Sequence, residues 1–299
     1  SDGRIHSSLS LVTTSTGRTS SSNPNMQNNP KRSKSASKIR QLISARPGWL
    51  LLATDQEQSE LRCAAHLSRD EEMIRVFTSG EDIHANTARA LSKKRLEEMT
   101  QLELEKARRD AKSVNFGLLY LMSASGFVRY AKLEYDLDLS EDEAQRWMND
   151  FFRLYKRLPE YHRRTIEFAR QFGYVESILG RRRHLPEINS RDKMLKAEAE
   201  RQAVNHPIQN LSSDVVLMAL NSVLDLKLNP AEFVPILFVH DELVFEVRET
   251  ADVSEYARTV KYAMENPPLE RDFGVSLRVP LIAGLKVGKN LSEMKKLTV

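Results

Sequence analysis

Cysteine is all but missing. Cys63 is the only one in 299 residues, so no disulfide can form within the chain. A disulfide-stapled fold is excluded, and a reducing compartment is favoured. No apolar run is long enough to cross a bilayer, and no segment has the order of a signal peptide. No internal repeat is evident. Neither sign of charge dominates: 45 Lys and Arg against 41 Asp and Glu leave a formal net charge of +4. That mild basic excess permits an anionic partner without requiring one. Hydrophobic residues make up 40% and charged residues 29%, the balance of a soluble globular protein long enough for one large or two ordinary domains. The first residue is Ser rather than Met, as expected of a piece of something longer.

Residues 13–38, TTSTGRTSSSNPNMQNNPKRSKSASK, read by composition as a flexible linker. GWLLLATD follows as a short buried strand ending on Asp55. QSELRCAAHLSRDEEMIRVF has helical periodicity, and from about 93 to 225 most of the chain reads as helix. KRLEEMTQLELEKARRDAKSVNFGLLY reads as one long helix. SEDEAQRWMNDFFRLY opens with the capping-box pair Ser140 and Glu143. MLKAEAERQAVNHPIQ is a helix that Pro207 bends or ends. Strands return in PILFVHDELVFEV and GVSLRVPLIAGLKVG. Strand, large helical insert and strands again imply an α+β sheet domain carrying a helical subdomain.

FVHDELVFEV, residues 238–247, holds His240, Asp241 and Glu242 at the centre of an apolar hairpin. Burying unpartnered carboxylates is costly, so the acids mark either a solvated hairpin tip or a mount for metal ions. Carboxylate oxygens suit Mg²⁺, which keeps several waters and is often completed by substrate phosphates. Asp55 ends another buried strand. If the two strands are neighbours, Asp55 and Asp241 face one site. Such a pair can hold two metals about 3.5–4 Å apart, astride the attacking and leaving oxygens of a phosphoryl transfer.

Arg108, Lys112, Phe116 and Tyr120 recur every four residues. In a helix this stripe drifts only about 40° per step and runs over about 18 Å. Two cations followed by two aromatics suit a triphosphate and then a sugar or base. A charged solvent face joined to core aromatics would give the same pattern. Arg201, Asn205 and Gln209 form another stripe at steps of four. It can donate to the acceptors common to every base pair in the minor groove, and an ordinary polar helix face explains it equally.

Taken together, the motifs resemble the C-terminal half of a family A DNA polymerase, the bacterial DNA polymerase I type. TGRTSSSNPNMQNNPKR is similar to the family's segment that grips primer and template, and DQEQSELR to its first catalytic motif. RRDAKSVNFGLLY resembles its nucleotide-binding helix. GRRRHLPEI, ERQAVNHPIQ and VHDEL follow in the family's order. The resemblance covers nearly the whole chain.

What the resemblance implies is specific. The fold would be the α+β right-hand polymerase fold, an antiparallel palm sheet with a large helical fingers insertion. Residues 1–66 would be the first part of the palm, 67–195 the fingers and 196–299 the second part of the palm. The activity would be template-directed addition of dNTPs to a primer 3′-hydroxyl with two Mg²⁺ ions, for which Mn²⁺ can substitute. Asp55 and Asp241 would hold the metals, Glu242 would be an adjacent acid, and Gln56 would reach a metal through its carbonyl. Arg108, Lys112 and His84 would bind the triphosphate, with Lys112 also catalytic. Phe116 would stack on the nucleotide and discriminate against dideoxynucleotides. Glu60 would exclude a 2′-hydroxyl, Gln58 would lie at the nucleotide, and Tyr120 would guard the template position. Arg18, Asn25, Gln27, Arg32, Arg201, Asn205, Gln209 and His240 would hold primer and template, ordering the Ser-rich stretch. Thumb and exonuclease domains are not seen in this chain. An N-terminal polypeptide carrying the thumb is therefore an expected partner, beside primer-template DNA and dNTPs. No membrane is implied, and a cytoplasmic location follows from the class, with an organelle also compatible.

Several positions depart from the family pattern. Gln56, Glu57, Gln58 and Ser59 stand where Tyr-Ser-Gln-Ile is usual. Leu121 and Asn210 each replace a usual Gly, and Leu291 a frequent Trp. These departures keep open a non-catalytic, polymerase-derived DNA-binding scaffold. A two-metal nuclease would explain the carboxylates but not the Arg-Lys-Phe-Tyr stripe.

Overall fold

A computed structural model describes residues 3–28, 34–92 and 95–299. In chain order the elements are β1 (Ser8–Ser10), β2 (Ser20–Ser22), α1 (Lys34–Leu42), β3 (Trp49–Gln56), α2 (Ser59–Ser68), α3 (Glu71–Ser79) and α4 (Ile83–Leu91). The helical stretch continues with α5 (Gln101–Leu119), α6 (Ala124–Tyr135), α7 (Glu141–Leu154) and α8 (Arg157–Phe172). Then come β4 (Tyr174–Glu176), β5 (Arg182–His184), α9 (Lys193–Asp225), β6 (Phe233–Val239), β7 (Glu242–Arg248), α10 (Val253–Glu265), α11 (Leu269–Phe273), β8 (Ala283–Gly288) and β9 (Lys295–Lys296).

The chain forms two compact units. The first comprises residues 1–59, 209–276 and 281–299; the second comprises 60–208 and 277–280. Both main breaks fall inside helices, α2 and α9, whereas the boundaries read from sequence stood at 66/67 and 195/196.

The first unit is built on an antiparallel five-stranded sheet in the order β6-β7-β3-β8-β9. Alternation along a strand sends successive side chains to opposite faces. Leu52 of β3, Leu243, Phe245 and Val247 of β7, and Ala283 and Leu285 of β8 therefore share one face. There they pack with Val216, Ala219 and Val223 of α9 and with Ala257, Val260, Ala263 and Met264 of α10. The other face carries Leu51, Ala53 and Val244, covered by Leu291. Leu291, at a position where Trp is frequent, is thus a core residue. On the same face Glu246 is fully buried, and its carboxylate accepts from Arg4 Nη1 at 3.1 Å and Arg46 Nε at 2.9 Å. A buried charge needs such partners.

The second unit is mainly helical. Three sequence readings change here. The stretch of helical periodicity over 58–77 forms two helices, α2 and α3, because Arg69 takes a positive φ of 58° and Asp70 caps α3, accepting from Met73 N–H at 3.0 Å. The long helix expected from residue 94 begins only at Gln101, where Thr100 and Glu103 form a capping box. Of the two effects expected at Pro207, a bend or an end, the end does not occur: α9 runs through it for 33 residues. The Ser140–Glu143 capping box forms as expected at α7. Gly117 of α5 fits a close approach, since a Cβ there would lie 2.8 Å from the fully buried ring of Phe127 on α6.

Candidate active site

The first unit brings the two aspartates together. β3 and β7 pair antiparallel, with Asp55 opposite Glu242. Asp241 lies one residue earlier, in the two-residue loop that joins Val239 to Glu242. His240 opens that loop at φ 58°, the positive first angle of a type II′ hairpin turn. The Gln56 N–H donates to the Asp241 carbonyl at 3.3 Å, tying the loop to the end of β3. Asp55, Asp241 and Glu242 line one pocket of about 260 Å³ together with Arg40 and Lys286. Asp241 is exposed, Asp55 half-buried and Glu242 buried.

Among the described residues, no three His, Cys, Asp or Glu side chains converge into a complete metal-ligand set. Two hard-oxygen donors facing a polar pocket nevertheless fit Mg²⁺, which takes few protein ligands and completes its octahedron with water and phosphate. Gln56, the third expected metal contact, has its side chain committed to the core. Its Nε2 donates to the Met264 carbonyl at 2.8 Å, and its Oε1 accepts from Ser59 Oγ at 3.1 Å. Ser59 in turn bonds Ser212 Oγ at 2.7 Å. Gln58 takes φ 57° between β3 and α2.

In the second unit α5 and its C-cap residue Tyr120 carry the cation–aromatic stripe. Arg108 is exposed; Lys112, Phe116 and Tyr120 are half-buried. The Arg108 Nε donates to Asp82 Oδ2 at 2.6 Å. Asp82 also caps α4, its Oδ1 accepting from the N–H groups of His84 at 2.7 Å and Ala85 at 3.2 Å. Burial alone would raise the Asp82 carboxyl, but the Arg108 guanidinium and these backbone donors hold it below the usual carboxylate range. His84 is buried against Phe116, ring centroids 6.0 Å apart. Burial pushes its imidazole down to about 4, so it is neutral at pH 7. Asn115 Nδ2 bonds its Nδ1 at 2.7 Å. An amide nitrogen only donates, so Nδ1 is the acceptor and the ring proton sits on Nε2. The Tyr120 hydroxyl donates to the Glu60 carboxylate. Past the end of α5, Leu121 takes φ 59°, the left-handed region where the family's usual Gly carries no penalty.

The residues expected at primer and template have varied surroundings. Gln27 is buried, its Nε2 donating to Thr19 Oγ1 at 2.6 Å and to the Phe238 carbonyl at 3.0 Å, so that amide group is turned into the protein. Asn25 accepts from the N–H groups of Gln27 and Asn28 in an Asx turn. Arg18 is half-buried and its carbonyl accepts from the Thr14 hydroxyl. Arg32 lies outside the described residues. Arg201, Asn205 and Gln209 lie on α9 at steps of four. Arg201 Nε donates to Glu198 Oε2 at 3.2 Å, and Asn205 Oδ1 is buried without a hydrogen-bond partner. The stretch read as a linker is organised by the chain's own contacts over residues 13–28. β1 and β2 pair as a hairpin, Asn210 Nδ2 donates to the Thr16 carbonyl at 3.1 Å, and Ser213 Oγ donates to the Gly17 carbonyl at 3.3 Å.

Lys286, Arg40, Asp82 and Asn210 were not predicted to have these roles. Lys286 and Arg40 stand at the aspartate pocket only through strand register and chain path, which composition does not encode. Asp82 had a legible signal, an acid just ahead of a helix. Its pairing with Arg108, 26 residues on, did not.

The fold and these motifs define a class. The family model described as DNA polymerase family A matches residues 1–293, and the chain belongs to that family. It is 40% identical over 295 residues to the thermostable DNA polymerase I of Thermus filiformis, covering 98% of this chain and 33% of that protein. It is 37% identical over 292 residues to DNA polymerase I of Pseudomonas aeruginosa, covering 97% of this chain and 30% of that one. The solved POL domain of Pol1 from M. smegmatis, in complex with DNA primer-template and dNTP, matches with a TM-score of 0.85 at 34% identity. That match covers 98% of this chain and 49% of the solved chain. The chain thus spans about a third of the curated relatives' length. Its α+β architecture is that of a family A polymerase domain.

Proposed function

We propose that this chain is the catalytic core of a template-directed DNA polymerase, extending a primer 3′-hydroxyl with dNTPs. The observation that carries the reading is the shared pocket of Asp55 and Asp241 in a chain of this family. The first unit then acts as palm and the second as fingers. Asp55 and Asp241 hold the divalent ions, Mg²⁺ or Mn²⁺, with Glu242 beside them. When bound, those ions supply the Lewis acidity that lowers the pKa of the primer hydroxyl and offsets charge on the departing pyrophosphate. Arg108 and Lys112 bind the triphosphate as cations, while neutral His84 contributes a hydrogen bond from Nε2 rather than charge. Phe116 packs against the nucleotide. Glu60, fixed by the Tyr120 hydroxyl, excludes a 2′-hydroxyl. The α9 stripe and Arg18 steady primer and template through acceptors common to all base pairs. The hydroxyl oxygen bonds the α-phosphorus as the bond to pyrophosphate breaks, and the base pair chooses the nucleotide.

The test is extension of a labelled primer with Mg²⁺ and four dNTPs. The chain is assayed alone and joined to the residues that precede the matched region in its relatives. Extension is expected in the joined form at least, and Asp241→Ala should abolish it while primer-template binding persists. Intact DNA binding without extension in either form would favour the scaffold reading.

A further inference from the structure

We propose that Lys286 is a built-in counter-cation of the Asp55 carboxylate, which a divalent ion must displace, and that it sets how tightly the aspartate pocket takes metal. This rests on the metal-holding role given above to Asp55 and Asp241. Lys286 Nζ lies 3.2 Å from Asp55 Oδ1. The contact is built by register. On β8, Gly284 is the direct partner of Asp55 and Lys286 the partner of Ala53, so Lys286 is the diagonal neighbour of Asp55. Residues two apart on a strand share a face, and a diagonal neighbour is within reach of a long side chain. Gly284 keeps that approach open. A Cβ there would come 3.3 Å from both Asp55 Oδ1 and Glu57 Oε1. The ammonium lines the same pocket as Asp241 and Glu242. The pocket's other cation, Arg40, aims Nη2 at the Leu291 carbonyl, 3.0 Å away.

An ammonium on a carboxylate oxygen competes with a metal twice. It occupies the donor atom, and it repels a second cation. Asp55 and Lys286 side chains are 38% and 45% exposed, so solvent weakens the pair and the effect stays modest. Lys286→Met should tighten Mn²⁺ binding about fivefold, and Lys286→Arg should leave it near wild type.

The experiment is a Mn²⁺ titration of the full chain followed by electron paramagnetic resonance of free Mn²⁺, without DNA or nucleotide. Asp241→Ala reports whether the aspartate pocket is the site. Lys289→Met is the control, because Lys289 pairs with Glu249 instead. Tighter binding in K286M, with K289M unchanged and D241A weakened, supports the proposal. Binding in K286M alone would support it as well. Equal affinity of wild type and K286M, in a site that D241A abolishes, overturns it and leaves the metal reading standing. No Mn²⁺ bound by wild type or K286M overturns both. If K286M fails to fold by circular dichroism, Lys286→Gln takes its place.

Discussion

Leu121 stands at φ 59°, where an L residue with a bulky side chain is strained. Its side chain also lines a groove of about 360 Å³ with Phe152 and His162, which gives it apolar contacts to hold. A β-branched replacement keeps the size but fits this backbone worse. Leu121→Ile is expected to lower stability by about 1 kcal/mol, read from denaturant midpoints; an unchanged midpoint would mean that the strain is relieved elsewhere. Glu60 and Tyr120 form another residue-scale unit. If Glu60 gates the nucleotide sugar, Glu60→Ala should raise ribonucleotide incorporation while dNTP incorporation continues. Single-nucleotide insertion assays measure both, and an unchanged ratio would remove Glu60 from that role. Asn210 shows how a departure from a pattern can be structural: its side chain ties residue 16 to α9, which a glycine has no atoms to do.

Helix α5 owes its start to Thr100 and Glu103 and its close packing on α6 to Gly117. Its exposed cation is tied to another element, since Arg108 pairs with the Asp82 that caps α4. Two substitutions separate the cap from the ion pair. Asp82→Asn keeps a good cap and breaks the charge pair, so stability should change little. By freeing Arg108 it should tighten triphosphate binding about two- to fivefold. Asp82→Ala should add a loss of about 1 kcal/mol from the missing cap. Fluorescent dNTP titrations and urea unfolding of both variants check this. Equal dNTP affinity in D82N and wild type would show that the pair does not compete with nucleotide.

Acid should weaken the whole fold in a defined window. His84 and His162 are buried and neutral, each pushed down to about 4 from an ordinary 6.5. Burial is the main cause at both; at His162 the Leu119 carbonyl, 3.1 Å from Nε2, works against it. The unfolded chain therefore binds more protons than the folded one between pH 4 and 6.5. Stability is full above pH 6.5 and falls as pH drops toward 4. From pH 7 to 5 the loss is about 2 kcal/mol per histidine, visible as a falling Tm. His162→Asn should flatten that slope, and an identical slope would show that His162 is not one of the groups responsible.

The sequence by itself determined the family, the order of the motifs and the α+β class. Short-range rules carry that information: periodicity, the Ser140–Glu143 capping box, and motifs read within a few residues. It also implies that Asp55 and Asp241 share a site, on the condition that their strands are neighbours. The tertiary structure supplied the pairing of β3 with β7 that meets this condition. It alone decided that Lys286 lies diagonally across from Asp55, that Arg108 belongs to Asp82, that Gln27 faces inward and that Asn210 anchors the Ser-rich segment. Each of these contacts joins residues far apart in the chain. They depend on strand register and helix placement, and a one-residue slip in register would send Lys286 to the opposite face of the sheet.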